Sequence, residues 1–447
     1  MTNQKMPAGK FFLLGFQHVF AMFGATVLVP TLTGLSVSAT LLFAGLGTLL
    51  FHLLTKRKVP AFLGSSFAFL GGYFAINGLI SDFNAGLAEG AAAINWIPYA
   101  GVGVACAGLL YVLLSALFKS FGAAKVMRFF PPIVTGPIII CIGITLANSA
   151  INNCDDNWLI ALVAVVVVVA CNIWGKGMIK IIPILLGVVV SYVAAAIFGM
   201  VDFTPVAQAA WIGLPFHWSD TVFSFASTGV NGGLLASSIA MMMPIALATM
   251  IEHIGDMCAI SSTVEKNFIA DPGLHRSLLG DGLATALAAL FGAPANTTYG
   301  ENTGVLALTK VYDPKVVRLA AVLAILFSFC PKFAALVSCM PAATIGGVSL
   351  ILYGMISAVG VRNVVENQVD FTKSRNVIIA ALIMALSLGI AFSEAGAIAF
   401  NVFGVTISLS GLAVAAIVGI LLNAVLPGND YQFGTNDQGD KSVNFKV

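Results

Sequence analysis

Charge is what this sequence has least of. Only 9% of its 447 residues are Asp, Glu, Lys or Arg, against 59% hydrophobic, and the mean hydropathy is +0.98. Soluble chains carry about 25% charged residues, so a set of water-soluble globular domains is excluded and a polytopic membrane protein is expected. Cysteine is sparse as well. Cys106, Cys141, Cys171, Cys258, Cys330 and Cys339 fall in or near apolar segments and Cys154 in a loop, with no CxxC pair. That pattern argues against a disulfide framework or a thiolate metal site and reads as small buried hydrophobes. GxxxxGK[ST], HExxH and GxSxG are absent, which removes the nucleotide-engine, zinc-protease and serine-hydrolase signatures. No nucleophile-and-base pair stands out, so an enzyme is not expected. The N-terminus has no charged n-region followed by a small-residue cleavage site, so the first apolar segment is expected to remain as a span.

What is present is a succession of apolar runs. A span needs about 20 apolar residues, which predicts segments near 12 to 32, 36 to 54, 61 to 80, 97 to 118, 131 to 151, 157 to 174 and 180 to 200. A polar stretch from Val201 to Gly233 follows, and spans resume near 234 to 260, 276 to 292, 296 to 310, 316 to 337, 341 to 360, 376 to 392 and 409 to 427. The positive-inside rule supports a count of fourteen. Twenty of the 21 basic residues fall in loops of one parity, among them Lys56, Arg57 and Lys58, and Lys310, Lys315 and Arg318; Lys332 alone breaks the pattern. The opposite loops hold Asp82, Glu89, Asp155, Asp156, Asp202 and Asp220. Cytoplasmic N- and C-termini are therefore expected, and His275, Arg276 and the basic cluster 56 to 58 read as topology determinants.

Two motif pairs suggest a duplication. Gln17-His18 in the first span and Glu252-His253 in the eighth place their histidines 235 residues apart, and the segments opening at Pro60 and Pro294 lie 234 apart. Seven spans is an odd number, so the second copy must enter the membrane upside down. Inverted repeats of this kind are typical of secondary transporters, with the site at the midplane between interrupted segments. The interrupted segments are expected to be spans 3 and 10. Gly64-Ser65-Ser66 and Thr297-Thr298-Tyr299-Gly300 suit short extended strands, which are expected to pair and to leave two helix N-termini, rich in N–H donors, pointing into a cavity.

The chemistry gathers around that crossing. An ionisable group inside a span is costly and so a functional candidate, which singles out Glu301 in span 10 and Glu252 inside the apolar run of span 8. Glu252 and Asp256 are four apart and share a helix face. Three acids together would repel if all were ionised, so one is expected to hold a proton near neutral pH, a device for proton coupling. Asp256 reads equally as a carboxylate wetted at the cytoplasmic end, and His253 first as a packing residue bonded to another helix. Phe67, Tyr299 and Tyr353 are the aromatic candidates; Phe67 reads as packing or as ligand in equal measure. Carboxylate acceptors, backbone donors and aromatic faces suit a small planar heterocycle bearing N–H and C=O groups, whereas a hydrophilic metal ion would need more oxygen ligands than are at hand. Neither a metal nor a cofactor is expected.

QHVFAMFGATVLVP (17 to 30), PAFLGSSFAF (60 to 69), DPGLHRS (271 to 277), NTTYGENTGVLALTK (296 to 310) and GGVSLILYG (346 to 354) resemble the bacterial uracil permeases of the nucleobase–ascorbate transporter family. The family signature is met by Glu301-Asn302-Thr303-Gly304 through Thr309-Lys310. The resemblance implies an all-α polytopic fold of fourteen spans as a seven-plus-seven inverted repeat, with short strands in spans 3 and 10. It divides the chain into a core domain (1 to 128 and 231 to 338), a gate domain (129 to 230 and 339 to 430) and a cytoplasmic tail (431 to 447). It also implies proton symport of a nucleobase in the bacterial inner membrane, by a homodimer with elevator-like motion. Carried over by motif, Glu252 and Glu301 would bond pyrimidine N–H groups, backbone at Phe67, Tyr299 and Gly300 would meet the carbonyls, and Tyr353 would approach from the gate. Glu252, Asp256 and Glu301 would carry the proton. One position departs. Asp256 stands where uracil permeases have His, and Asp there resembles the purine and urate branches, which keeps a xanthine or other purine substrate as the alternative. A passive channel or anion exchanger on the same plan is the reading from another class, and the gathered carboxylates speak against an anion.

Overall fold

A backbone amide finds no water in lipid, so a spanning segment must bond its own peptide groups; the long apolar runs of this chain fold as helices wherever proline and glycine allow. The structure is a computed structural model and describes residues 7–88, 92–402, 405–429 and 431. Within those bounds the side chains of several helix and strand residues, Glu301 among them, lie outside the description, as does the expected tail apart from Tyr431.

The first half runs α1 (Ala8–Thr33), α2 (Val37–Leu54), β1 (Leu63–Ser65), a 3-10 turn Phe67–Phe69 leading into α3 (Leu70–Ala85), α4 (Trp96–Phe121), α5 (Pro132–Asp155), α6 (Trp158–Ile173) and α7 (Pro183–Ile197). The second runs α8 (Gly232–Met242), α9 (Ile245–Val264), α10 (Leu274–Leu290), β2 (Asn296–Thr298), α11 (Glu301–Thr309), α12 (Pro314–Ser328), α13 (Pro331–Ser338), α14 (Ala342–Glu366), α15 (Ser374–Ala391), β3 (Ala397–Val402), β4 (Val405–Ser410) and α16 (Gly411–Val425). Side-chain caps at Ser36, Asn95, Asn157, Asn231, Asp313 and Ser410 satisfy first-turn amides and set where helices begin. Among the described residues, six helices are long and apolar enough to cross a membrane, α2, α4, α5, α14, α15 and the stretch Gly232–Ser261.

Each expected apolar segment coincides with a helix or a strand-helix unit, with three differences of shape. The segment at 234 to 260 is two helices, broken beside Pro244, and that at 316 to 337 turns by 87° between α12 and α13. Pro331 opens α13 and has no N–H with which to continue α12. Between α15 and α16 an antiparallel hairpin pairs Ala397 with Ser410 through Val402 with Val405; its alternation of Ile398, Phe400 and Val402 was there to be read. Cys154, expected in a loop, is buried in the last turn of α5.

Packing falls into two groups. α12 lies on α1 and α2, and α4 on α8 and α10; separately, α5 packs along α14, α15 and α16, and α6 along α7 and α14. α9 and β4 connect the groups, α9 against α5 and α16, β4 against α8. Lys332, the one cation outside the expected charge parity, is held by protein: its Nζ donates to Val206 O at 2.8 Å and lies 5.1 Å over the Trp211 ring. On the basic side, Lys58 pairs with Asp271, Arg276 Nη1 donates to Leu54 O at 3.2 Å at the end of α2, and Ser115 Oγ donates to His275 O. The residues read only as topology determinants thus also fasten α2 and α4 to the first turn of α10 and to the loop before it.

The two interrupted segments meet inside the first group. β1 and β2 pair antiparallel, Leu63 with Thr298, Gly64 with Thr297 and Ser65 with Asn296. Gly64 lies under the Tyr299 ring, where a Cβ would come within 2.5 Å of Cε2 and Cζ. The ring cannot yield, because its hydroxyl donates to Ser65 O at 2.9 Å. Gly64→Ala should therefore cost about 1–3 kcal/mol by overpacking, seen as a lower melting temperature of the detergent-purified protein. Gly71→Ala, whose Cβ would meet nothing within 4 Å, should melt at or above the unmodified protein; equal melting of both variants would refute the crossing as a packing constraint.

Candidate substrate site

Three residues of pairing on each side satisfy amides that two broken helices leave open. Ser66 N donates to Ala295 O and Tyr299 N to Phe62 O, each at 2.9 Å, which extends the ladder at both ends. Because the strands are antiparallel, the helices that follow leave in opposite directions, one from Phe67 and one from Glu301. Helix heads, with partial positive charge and N–H donors, therefore stand on both flanks of the crossing.

Beneath β2 lies a polar network that the residue reading did not single out. Thr298 Oγ1 donates to Asp281 Oδ1 at 2.8 Å, and the Thr298 amide to Oδ2 at 3.4 Å. His253 Nδ1 is 3.1 Å from both Asp281 Oδ2 and Thr298 Oγ1, and Nε2 is 2.9 Å from Ser277 Oγ. The side chains of His253 and Asp281 are wholly buried. Asp281 was legible as an acid inside the apolar run LLGDGLATAL. Its role as the clamp of β2 was not, because that depends on which helix lies across the strand. His253 is the bonded packing residue expected of it.

Glu252, beside His253 on α9, is half-buried, and Asp256 follows one turn on. Asp256 Oδ1 is 3.1 Å from where a Cβ on Gly300 would sit, so this half-buried carboxylate lies beside the head of α11. Tyr111 of α4 is fully buried. Of the signature residues, Asn302 Nδ2 is 3.1 Å from His18 Nδ1 and donates to His18 O at 3.3 Å, which ties α11 to α1. The Glu301 backbone opens α11; its side chain is outside the described residues.

The aromatic candidates separate. Tyr299 turns its ring over Gly64 and bonds Ser65 and Thr26 through its hydroxyl, and its amide is taken up by Phe62. That leaves the amides of Phe67 and Gly300 at the two helix heads as the expected backbone donors. Phe67 and Tyr353 stand edge to face, centroids 5.5 Å apart at 81°, Phe67 at the head of the 3-10 turn and Tyr353 on α14. A cavity of about 410 Å³ opens above Phe67, between α3, α5, α8 and the base of the β3–β4 hairpin. Phe67 lines it; Glu252, Tyr299, Gly300 and Tyr353 do not.

Residues 9–396 match the model of the permease family Xan_ur_permease. The chain belongs to this permease family. It is 42% identical to the uracil permease of Bacillus caldolyticus over 95% of this chain and 94% of that one, and 36% identical to the uracil permease of Escherichia coli K12 over 95% and 93%. Among solved structures, the transmembrane domain of the cyanobacterial bicarbonate transporter BicA is similar in fold, with a TM-score of 0.59 at 14% identity over 93% of this chain and 97% of that one. SLC26A9 is similar at 0.65 and 12%, over 93% of this chain and 64% of that one. The permease is a multi-pass membrane transporter and not an enzyme.

Removing Asp281 leaves a buried hydroxyl, an amide and an imidazole without their shared acceptor, a cost of about 1–3 kcal/mol per unmade bond. Asp281→Ala is expected to lower the permease's melting temperature by several degrees and abolish uptake. Melting unchanged from the unmodified protein would mean that β2 is held by something else.

Proposed function

We propose that this permease imports uracil across the bacterial cytoplasmic membrane by proton symport, exposing one central site alternately to each side. The observation that carries the reading is near-full-length similarity, at 36–42% identity, to proteins named uracil permeases. The chemistry of the residues suits it. Uracil presents N–H and C=O groups along one ring edge; carboxylates at Glu252 and Glu301 accept from the N–H groups, while amides at Phe67 and Gly300 donate to the carbonyls. Tyr353 closes the site from the other helix group. Glu252, Asp256 and Glu301 form the coupling set, in which a proton entering down its gradient neutralises one of the clustered acids.

Alternating access in this reading is a movement of the group containing the strand crossing (1–128 and 231–338) against the group built on α5 and α14 (129–230 and 339–430), in a homodimer with cytoplasmic termini. A fourteen-span inverted repeat is supported by how contacts map onto one another. Exchanging each span with the one seven later turns α2 on α12 into α10 on α4, α1 on α12 into α8 on α4, and α6 on α7 into α15 on α16. α5 on α14 maps onto itself, as a pseudo-two-fold demands.

Asp256 favours a second reading, a xanthine or other purine symporter, because it puts an acid where the resembling uracil permeases carry histidine. A channel or anion exchanger would place its substrate among carboxylates, which repel anions. Uptake of labelled uracil into proteoliposomes should depend on an inward proton gradient and resist excess xanthine; xanthine uptake without uracil uptake would transfer the assignment to the purines. Glu301→Gln trades an acceptor for a mixed donor and acceptor and should weaken uracil binding by roughly ten- to a hundredfold, from a charge-assisted bond of about 1.5–3 kcal/mol. Unchanged affinity in that variant would remove Glu301 from the site.

A further inference from the structure

The cavity above Phe67 has a construction of its own. One wall is α5, where Thr145, Asn148, Ser149 and Asn152 follow each other at helical spacing and all line the space. Thr145 is satisfied within its helix, donating to Cys141 O at 2.8 Å. Among the described residues, the carboxamides of Asn148 and Asn152 make no hydrogen bond to protein, so both keep their donors and acceptors for whatever fills the cavity. An apolar helix long enough to cross the membrane carries two such amides at a cost unless they face water or a ligand.

The opposite wall, on α3, is stripped of bulk. Gly71 faces open space, Gly72 and Ala75 stand beside it, and Phe74 leaves 41% of its surface exposed. A slot with small residues and an aromatic ring on one side, and two unspent amides on the other, fits a flat heterocycle bearing adjacent N–H and C=O groups. Each carboxamide donates and accepts at once, so it can pair with that edge. About 410 Å³ lies within the range of small-molecule sites.

Resting on the uracil reading above, we infer that this cavity is a second, weak station for the nucleobase, held by Asn148 and Asn152 and occupied before the base passes Phe67 to the strand crossing. The central site selects with carboxylates; the station collects with neutral amides. Its occupancy raises the rate at which the central site fills without changing the equilibrium affinity there.

The test is saturation-transfer NMR of uracil on the purified full-length protein, together with uptake kinetics. In Glu301→Gln, where central binding is weakened, a millimolar contact with uracil should remain and disappear when Asn148→Leu and Asn152→Leu are added. In the otherwise unmodified protein, the Asn148→Leu/Asn152→Leu pair should keep the uracil Kd within twofold, which also reports correct folding, while KM for uptake rises at least threefold. Residual contact that survives the asparagine substitutions belongs to the crossing and overturns the station, as does an unaltered KM. Unmodified protein that binds uracil, with no contact in Glu301→Gln, overturns the station and leaves the central reading standing. Unmodified protein that binds no uracil overturns the central reading and the station with it.

Discussion

The constraint on which this structure depends is the satisfaction of a few backbone amides deep in an apolar setting. Breaking two helices exposes peptide groups that lipid cannot solvate, at a cost of several kcal/mol for each one left unpaired. Pairing Leu63–Ser65 with Asn296–Thr298 removes that cost. The pairing then dictates its surroundings. Gly64 must be bare so that the Tyr299 ring can cross it, and Gly47 must be bare because a Cβ would come within 2.1 Å of Asn296 Nδ2, which donates to Phe43 O. Asp281 is drawn into the interior to receive the hydroxyl and amide of Thr298.

The same break creates the chemistry. A continuous helix hides its N-terminal donors at the membrane surface, whereas two helices begun at a crossing present theirs in the middle. α9 then brings its acidic face, Glu252 and Asp256, against the head of α11. An acidic helix face and a helix head of opposite polarity thus lie side by side in the interior, which is the arrangement the proposed uracil site and proton coupling draw on. His253, between the acids in sequence, points instead to Asp281 and Ser277. Adjacent positions on a helix serve separate tasks.

Beyond the crossing, the two helix groups touch along α9, which meets α5 and α16, and where α1 meets α7. Phe67 meets Tyr353 edge to face, and the β3–β4 hairpin, carried by α15 and α16, reaches across to α8. The charge of Lys332 is spent on carbonyls at the end of the short helix Thr204–Gln208 and on Trp211, so the connection between α7 and α8 is anchored to the one between α12 and α14.

Sequence by itself determined the class, the succession of apolar segments, the two interrupted ones and the acids at risk within them. Hydropathy and charge placement are local properties that the bilayer reads directly, and Pro60, Pro294 and their small, hydroxyl-bearing neighbours mark a helix that cannot continue. The hairpin at 397–410 was equally local in its alternation, but its strands are short and sit between apolar runs whose length drew attention to helices. Only the tertiary structure decided the partners. That Asp281 clamps β2, that the Tyr299 hydroxyl bonds Ser65 across the crossing, that Asp256 faces Gly300, and that Asn148 and Asn152 share a cavity with Phe67 all depend on which helices lie side by side. Those are contacts between residues tens to hundreds of positions apart, and a period of 3.6 or 2 along one segment holds no information about the face of another.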